Sequence, residues 1–199
     1  MLASLRLAAG AAALALIAVL SACGDASRSP YASTGEAARD IATGEARYQE
    51  ALAVIDSDPT KAQGLLTAAL AADLFHGPAH NNLGVLLLKQ GKLYEAAGEF
   101  EWAARLLPGM PQPRVNLALT LLKGDRLAPA LDSAVLALEI TPGYLPAHQT
   151  AALIKIRTGQ LDAQLRQHLA AIVARSTDAQ WTDWAKTQLH RVDSQPAER

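Results

Sequence analysis

The chain has 199 residues, half of them hydrophobic and 19% charged, with a formal net charge of −1. This composition suits a folded domain with a continuous core and argues against a disordered tail, and the near-neutral charge argues against a nucleic-acid binder. Cys23 is the single cysteine, which excludes an internal disulfide.

The first element is a leader. Met1 to Arg6 carries one positive side chain, Leu7 to Leu20 is uncharged and apolar, and Leu20-Ser21-Ala22-Cys23 closes the run. The run is short for a membrane span of about 20 residues. The tetrapeptide resembles the lipobox of bacterial lipoproteins. That resemblance implies a signal peptide over residues 1–22, cleavage before Cys23, and acylation of Cys23 with diacylglycerol and a further fatty chain such as palmitate. Several acyl chains would give stable anchoring without a spanning helix. Residues 23–34, rich in Gly, Ser, Ala and Pro, read as a flexible tether. Gly24 stands where an Asp would favour the inner membrane in enterobacterial lipoproteins. The outer membrane, on its periplasmic side, is therefore the expected location.

A helical solenoid is expected over residues 35–192. Leu83 and Leu117, Ala96 and Ala130, Ala103 and Ala137, and Pro108 and Pro142 all repeat at a spacing of 34 residues. Counted from Gly77, the unit has Leu83-Gly84 at positions seven and eight, Gly91 at fifteen, Ala96 at twenty, Phe100 at twenty-four, Ala103 at twenty-seven and Pro108 at thirty-two. This resembles the tetratricopeptide (TPR) repeat, whose small residues let paired helices approach closely. The resemblance implies an all-α, right-handed superhelix of helix-turn-helix units.

The copies are graded. Repeats are expected at about 43–76, 77–110, 111–144 and 145–175. The third has Ala118 for the glycine and Ala134 for the aromatic. The fourth puts Gln164 and His168 where Ala and an aromatic belong. The first has Gln49 and Glu50 in place of Leu-Gly. Asp58-Pro59 reads as a helix cap and first turn, and Gly77-Pro78 as a break between pairs. Asp178 opens a capping helix at 178–192, with Trp181, Trp184, Ala185, Gln188 and Leu189 at spacings of three and four, and residues 193–199 form a polar tail.

Chemistry-bearing motifs are sparse. His76 and His80 have a metal-ligand spacing, but Gly77-Pro78 between them assigns them to different elements, as turn and helix-surface residues. No phosphate loop, Ser-nucleophile motif or HExxH pair is present. The expectation is a non-enzyme with no metal, no cofactor and no small-molecule substrate.

The resemblance also implies a concave groove lined by the first helix of each pair. Its groove positions fall on Pro78, Asn81, Asn82, Val85, Leu88 and Lys89, and on Gln112, Val115, Asn116, Leu119, Leu122 and Lys123. Asn82 and Asn116 are equivalent, and a side-chain amide there could pair with the backbone of an extended peptide or simply be tolerated at the surface. Lys89, Lys123 and Arg157 recur every 34 residues as a basic column, which could draw an acidic segment or serve only as solvated helix ends. Val115 and Thr150 break the carboxylate clamp of chaperone-binding members. Trp181 and Trp184 are expected to cover the end of the last repeat, with a glycan platform as the alternative.

The expected function is a lipid-anchored adaptor or scaffold of the bacterial cell envelope that binds an extended segment of another envelope protein. Two alternatives remain: a structural pilot for assembly of a pilus or secretion pore, and a peptidoglycan-binding protein using the tryptophans.

Overall fold

The computed structural model describes residues 39–194. The signal peptide, Cys23, the tether and the end of the polar tail lie outside them. The described residues form nine α-helices and no strand: α1 (Ile41–Val54), α2 (Pro59–Ala72), α3 (Gly77–Lys89), α4 (Leu93–Leu106), α5 (Gln112–Lys123), α6 (Leu127–Ile140), α7 (Leu145–Arg157), α8 (Ala163–Arg175) and α9 (Ala179–Asp193). Each helix packs on the next in sequence. The result is four antiparallel pairs closed by a ninth helix. None is long and apolar enough to cross a membrane.

Five helix starts carry a capping side chain. Asp40, Asp58, Asp162 and Asp178 accept hydrogen bonds from backbone N–H groups in the first turns of α1, α2, α8 and α9, at 2.8–3.0 Å. His76 does the same for α3, its Nδ1 accepting from the Ala79 N–H at 3.1 Å. Gly77-Pro78, expected to end one pair and begin the next, occupies the first turn of α3, where the missing proline N–H would be unbonded anyway.

Three of the turns inside the pairs share one geometry. Gly91 (φ 77°), Asp125 (φ 58°) and Gly159 (φ 73°) all adopt left-handed backbone. The following N–H groups of Lys92, Arg126 and Gln160 reach back to Leu87, Leu121 and Lys155 carbonyls at 2.8–3.0 Å. This is the helix-ending motif that spends one left-handed residue to satisfy two orphan carbonyls.

The core forms between small and large residues at matched heights. A Cβ on Gly84 would lie 2.7 Å from the Phe100 ring, so glycine is what lets α3 and α4 close on that ring. In the next pair, Ala118 and Ala134 meet with Ala151, and Leu131 packs against them. The last pair buries Ala152, Leu165, Leu169 and Ile172 with Ala185 and Val192 of α9.

Two helices depart from the strict count. The buried side of α1 is Gly44 and Ala51, with Tyr48 half-buried between them. That places the helix start at Ile41, two residues ahead of the expected Thr43, and Gln49 and Glu50 face water. In α8, residues Leu165, Leu169 and Ile172 fill the places expected of Gln164, His168 and Ala171. The connection at 158–162 is longer than that at 124–126, and the extra residues rotate the face. Three consistent large aliphatics replace what a rigid count reads as decay.

Candidate interaction groove

The odd helices define one face. α3 touches α5 and α5 touches α7 directly, whereas even helices make no comparable contacts with one another. Odd helices therefore lie on the inner side of the curve.

On that face a ladder of side-chain amides joins three helices. Asn116 Nδ2 donates to Asn81 Oδ1 at 3.0 Å, Asn81 Nδ2 to Asn82 Oδ1 at 3.4 Å, and Asn82 Nδ2 to the Tyr48 hydroxyl at 3.4 Å. Asn81, Asn82 and Asn116 all stay partly exposed. The ladder orients the amides at the cost of some donors and leaves acceptor capacity on Asn116. Its far end is anchored at Tyr48, whose ring lies 4.6 Å from that of His76. Because His76 Nδ1 already accepts from Ala79, its Nε2–H donates to Glu45, 2.9 Å away. Hydrogen bonds from Gln49, then His76, hold the Glu45 carboxyl below its ordinary range, while burial pushes the Tyr48 phenol up.

The other groove residues divide. Val85 is partly exposed, Leu119 is 37% exposed, and Lys89, Lys123 and Arg157 are exposed. Val115 is not on the surface: it is 3% exposed and packs against Ala137 and Ala147. A branched apolar side chain there is drawn between neighbouring pairs, which removes it from the binding face. Arg157 is already paired with Asp125 at 2.8 Å, an exposed contact worth little.

The histidines also require correction. His76 and His80 belong to one helix start and are 7% and 0% exposed, so neither is a surface residue. All four ring nitrogens are engaged: His80 Nδ1 meets Glu99 at 2.6 Å and its Nε2 the Leu74 carbonyl at 2.9 Å, and the ring stacks on Trp102. His148 repeats this two units later, with Nε2 on the Pro142 carbonyl at 2.9 Å and Nδ1 3.0 Å from Nδ1 of His168.

Three groove features escaped the sequence reading. Tyr48 stands 34 residues before Asn82, so counting back would have found it, and Glu45 lies one turn before it on α1. Arg191 extends the basic row one more step of 34 beyond Arg157. Trp181 and Trp184, edge to face at 5.2 Å, pack against the last core cluster as expected of a cap. They also line, with Leu153 and Gln180, a cleft of about 330 Å³ between α7 and α9. Leu153 follows Leu119 at the same spacing, so counting on would have found it.

No family model matches the chain. It is 35% identical over 111 residues to a TPR repeat-containing protein of Pseudomonas aeruginosa, covering 53% of this chain and 45% of that one. The chain spans less than half the length of the curated relatives it matches. Among solved structures it resembles YrrB, described as a TPR protein with an unusual peptide-binding site, at TM-score 0.63 and 19% identity, covering 74% of this chain and 76% of that one. It also resembles the first TPR domain of Spaghetti (RPAP3) bound to an HSP90 peptide, at TM-score 0.58 and 14% identity, covering 60% of this chain and 96% of that one. The fold is the all-α TPR solenoid with a C-terminal capping helix.

Proposed function

We propose that this protein is a non-enzymatic adaptor that captures an extended segment of another protein on the face of its odd-numbered helices. The observation that carries this reading is the amide ladder Asn116–Asn81–Asn82, partly exposed and spanning neighbouring helices, flanked by Val85, Leu119 and the row Lys89, Lys123, Arg157. Such a face offers amides for a peptide backbone, aliphatic surface for side chains and cations for acidic groups. The peptide bound to the RPAP3 domain and the peptide-binding site named for YrrB support the same use of this fold.

The adaptor is held at a bacterial cell envelope by lipid on Cys23, facing the periplasm from the outer membrane. The lipobox-like Leu20-Ser21-Ala22-Cys23 supports this part of the reading. Pilus, secretion or cell-wall assemblies are the settings in which such an adaptor would work.

The test is capture of crosslinked partners from native envelopes, identified by mass spectrometry. Asn82→Ala with Asn116→Ala is expected to lower the yield of the specific partner about tenfold, since both truncations also disturb the ladder. Unchanged yield would move the reading to docking of whole folded subunits on another surface. Labelled palmitate is expected on the wild-type chain and absent from Cys23→Ser; equal labelling would remove the anchor from the account.

A further inference from the structure

We propose that the groove ends, between α7 and α9, in an anchoring site for one bulky apolar side chain of a protein segment that carries acidic residues close to that anchor. This rests on the groove reading above and names the chemistry of its occupant.

The cleft is built from Leu153 of α7 and Gln180, Trp181 and Trp184 of α9. Its volume of about 330 Å³ is at the lower end for ligand pockets, room for a single aromatic or branched side chain with its neighbours. The two indoles are fixed edge to face and backed by Leu165, Leu169 and Ile172, so the walls are set before binding. Tryptophans at the edge of such a cleft are the residues that most often dominate binding energy.

Charge selects the occupant. Lys89, Lys123, Arg157 and Arg191 are exposed and repeat every 34 residues along the odd helices. Among the described residues, Lys89, Lys123 and Arg191 have no ion-pair partner, and Arg157 meets only the exposed Asp125. Arg157 stands one helical turn beyond Leu153, roughly 6 Å along α7, and Arg191 two turns beyond Trp184, about 10 Å along the same side of α9. Asp183, the acidic group beside Trp184, faces Lys186 at 4.0 Å. An extended chain advances about 3.3 Å per residue, so carboxylates two or three residues from the anchor reach these cations.

The test uses the full chain in detergent and four short fluorescein-labelled peptides on one Gly-Ser background. The first carries a Phe with Glu two and three residues away; the others replace Phe by Ala, Glu by Gln, and Glu by Lys. The Phe–Glu peptide is expected to bind about tenfold tighter than each of the others, with the advantage shrinking as salt rises. Trp184→Ala, with helicity checked by circular dichroism, is expected to bring it down to the Ala peptide. Arg157→Glu with Arg191→Glu changes only exposed groups and is expected to transfer the preference to the Lys peptide. Equal binding of all four, no binding of the Phe–Glu peptide, or an unchanged preference in the charge-reversed variant overturns the proposal. So does displacement of the Phe–Glu peptide by a chito-oligosaccharide, which would make the indoles a sugar platform. Equal binding that Asn82→Ala with Asn116→Ala abolishes would leave the groove reading standing while removing this one.

Discussion

Gly84 and Phe100 occupy one space between them, and the exchange of size at that level recurs along the molecule. Where Gly84 faces Phe100, the next pair sets Ala118 with Ala134 and the last sets Ala152 among Leu165 and Leu169. Gly84→Ala places a methyl 2.7 Å from the ring and is expected to cost about 1–3 kcal/mol, read as a lowered thermal midpoint. An unchanged midpoint would mean that α3 and α4 separate freely. A second residue-scale consequence concerns His168. Burial, followed by the nearby His148 and then Lys155, depresses its pKa to about 4. Only one proton fits between two Nδ1 atoms 3.0 Å apart. The folded state thus resists a proton that the unfolded chain accepts near pH 6.5, so stability is full above that pH and declines as pH falls toward 4. The loss is expected to be roughly 2 kcal/mol after allowing for solvent access, and His168→Gln should flatten it in urea titrations at stepped pH. The Gly84–Phe100 pair was legible because both residues sit at motif positions. The His148–His168 contact was not, because the longer connection at 158–162 moves His168 off the aromatic place and into the one that Glu99 holds earlier.

At the scale of the element, the turns inside the pairs show what local chemistry settles by itself. Gly91 and Gly159 take left-handed backbone without steric cost, and Asp125 takes it with some, in return for a hydrogen bond from Arg157. Asp125→Gly is expected to raise stability by about 0.5 kcal/mol, since relief of the backbone outweighs an exposed ion pair. A drop of similar size in denaturant midpoint would show that the Arg157 contact matters more than its exposure suggests. The same scale explains the limits of the repeat count. Spacing locates helices while connections keep their length, as between α3 and α6. Around α1 and α8 the buried faces are still periodic, but in a register set by their own connections, so Ala51 and Leu169 appear where a rigid ruler has Glu50 and His168. Val115 was misplaced for another reason. The groove pattern marks directions on a helix, whereas burial follows the apolar neighbours, here Ala137 and Ala147 of adjoining helices.

Across the whole molecule, each pair packs within itself and against its neighbours, and the curvature that brings α3, α5 and α7 together gathers equivalent residues into rows. Amides, aliphatics and cations then lie side by side without any single pair forming a pocket. The Trp-lined cleft comes where the repeat stops and α9 takes the place of a further first helix. The central claim is that this inner face, and not the outer one, meets a protein partner. It is tested most directly by placing a photocrosslinking residue in living cells at Leu119 on the inner face or at Val135 on the outer, positions of nearly equal exposure at 37% and 40%. The account predicts a discrete protein adduct from Leu119 and none from Val135. An adduct from Val135 alone would contradict it.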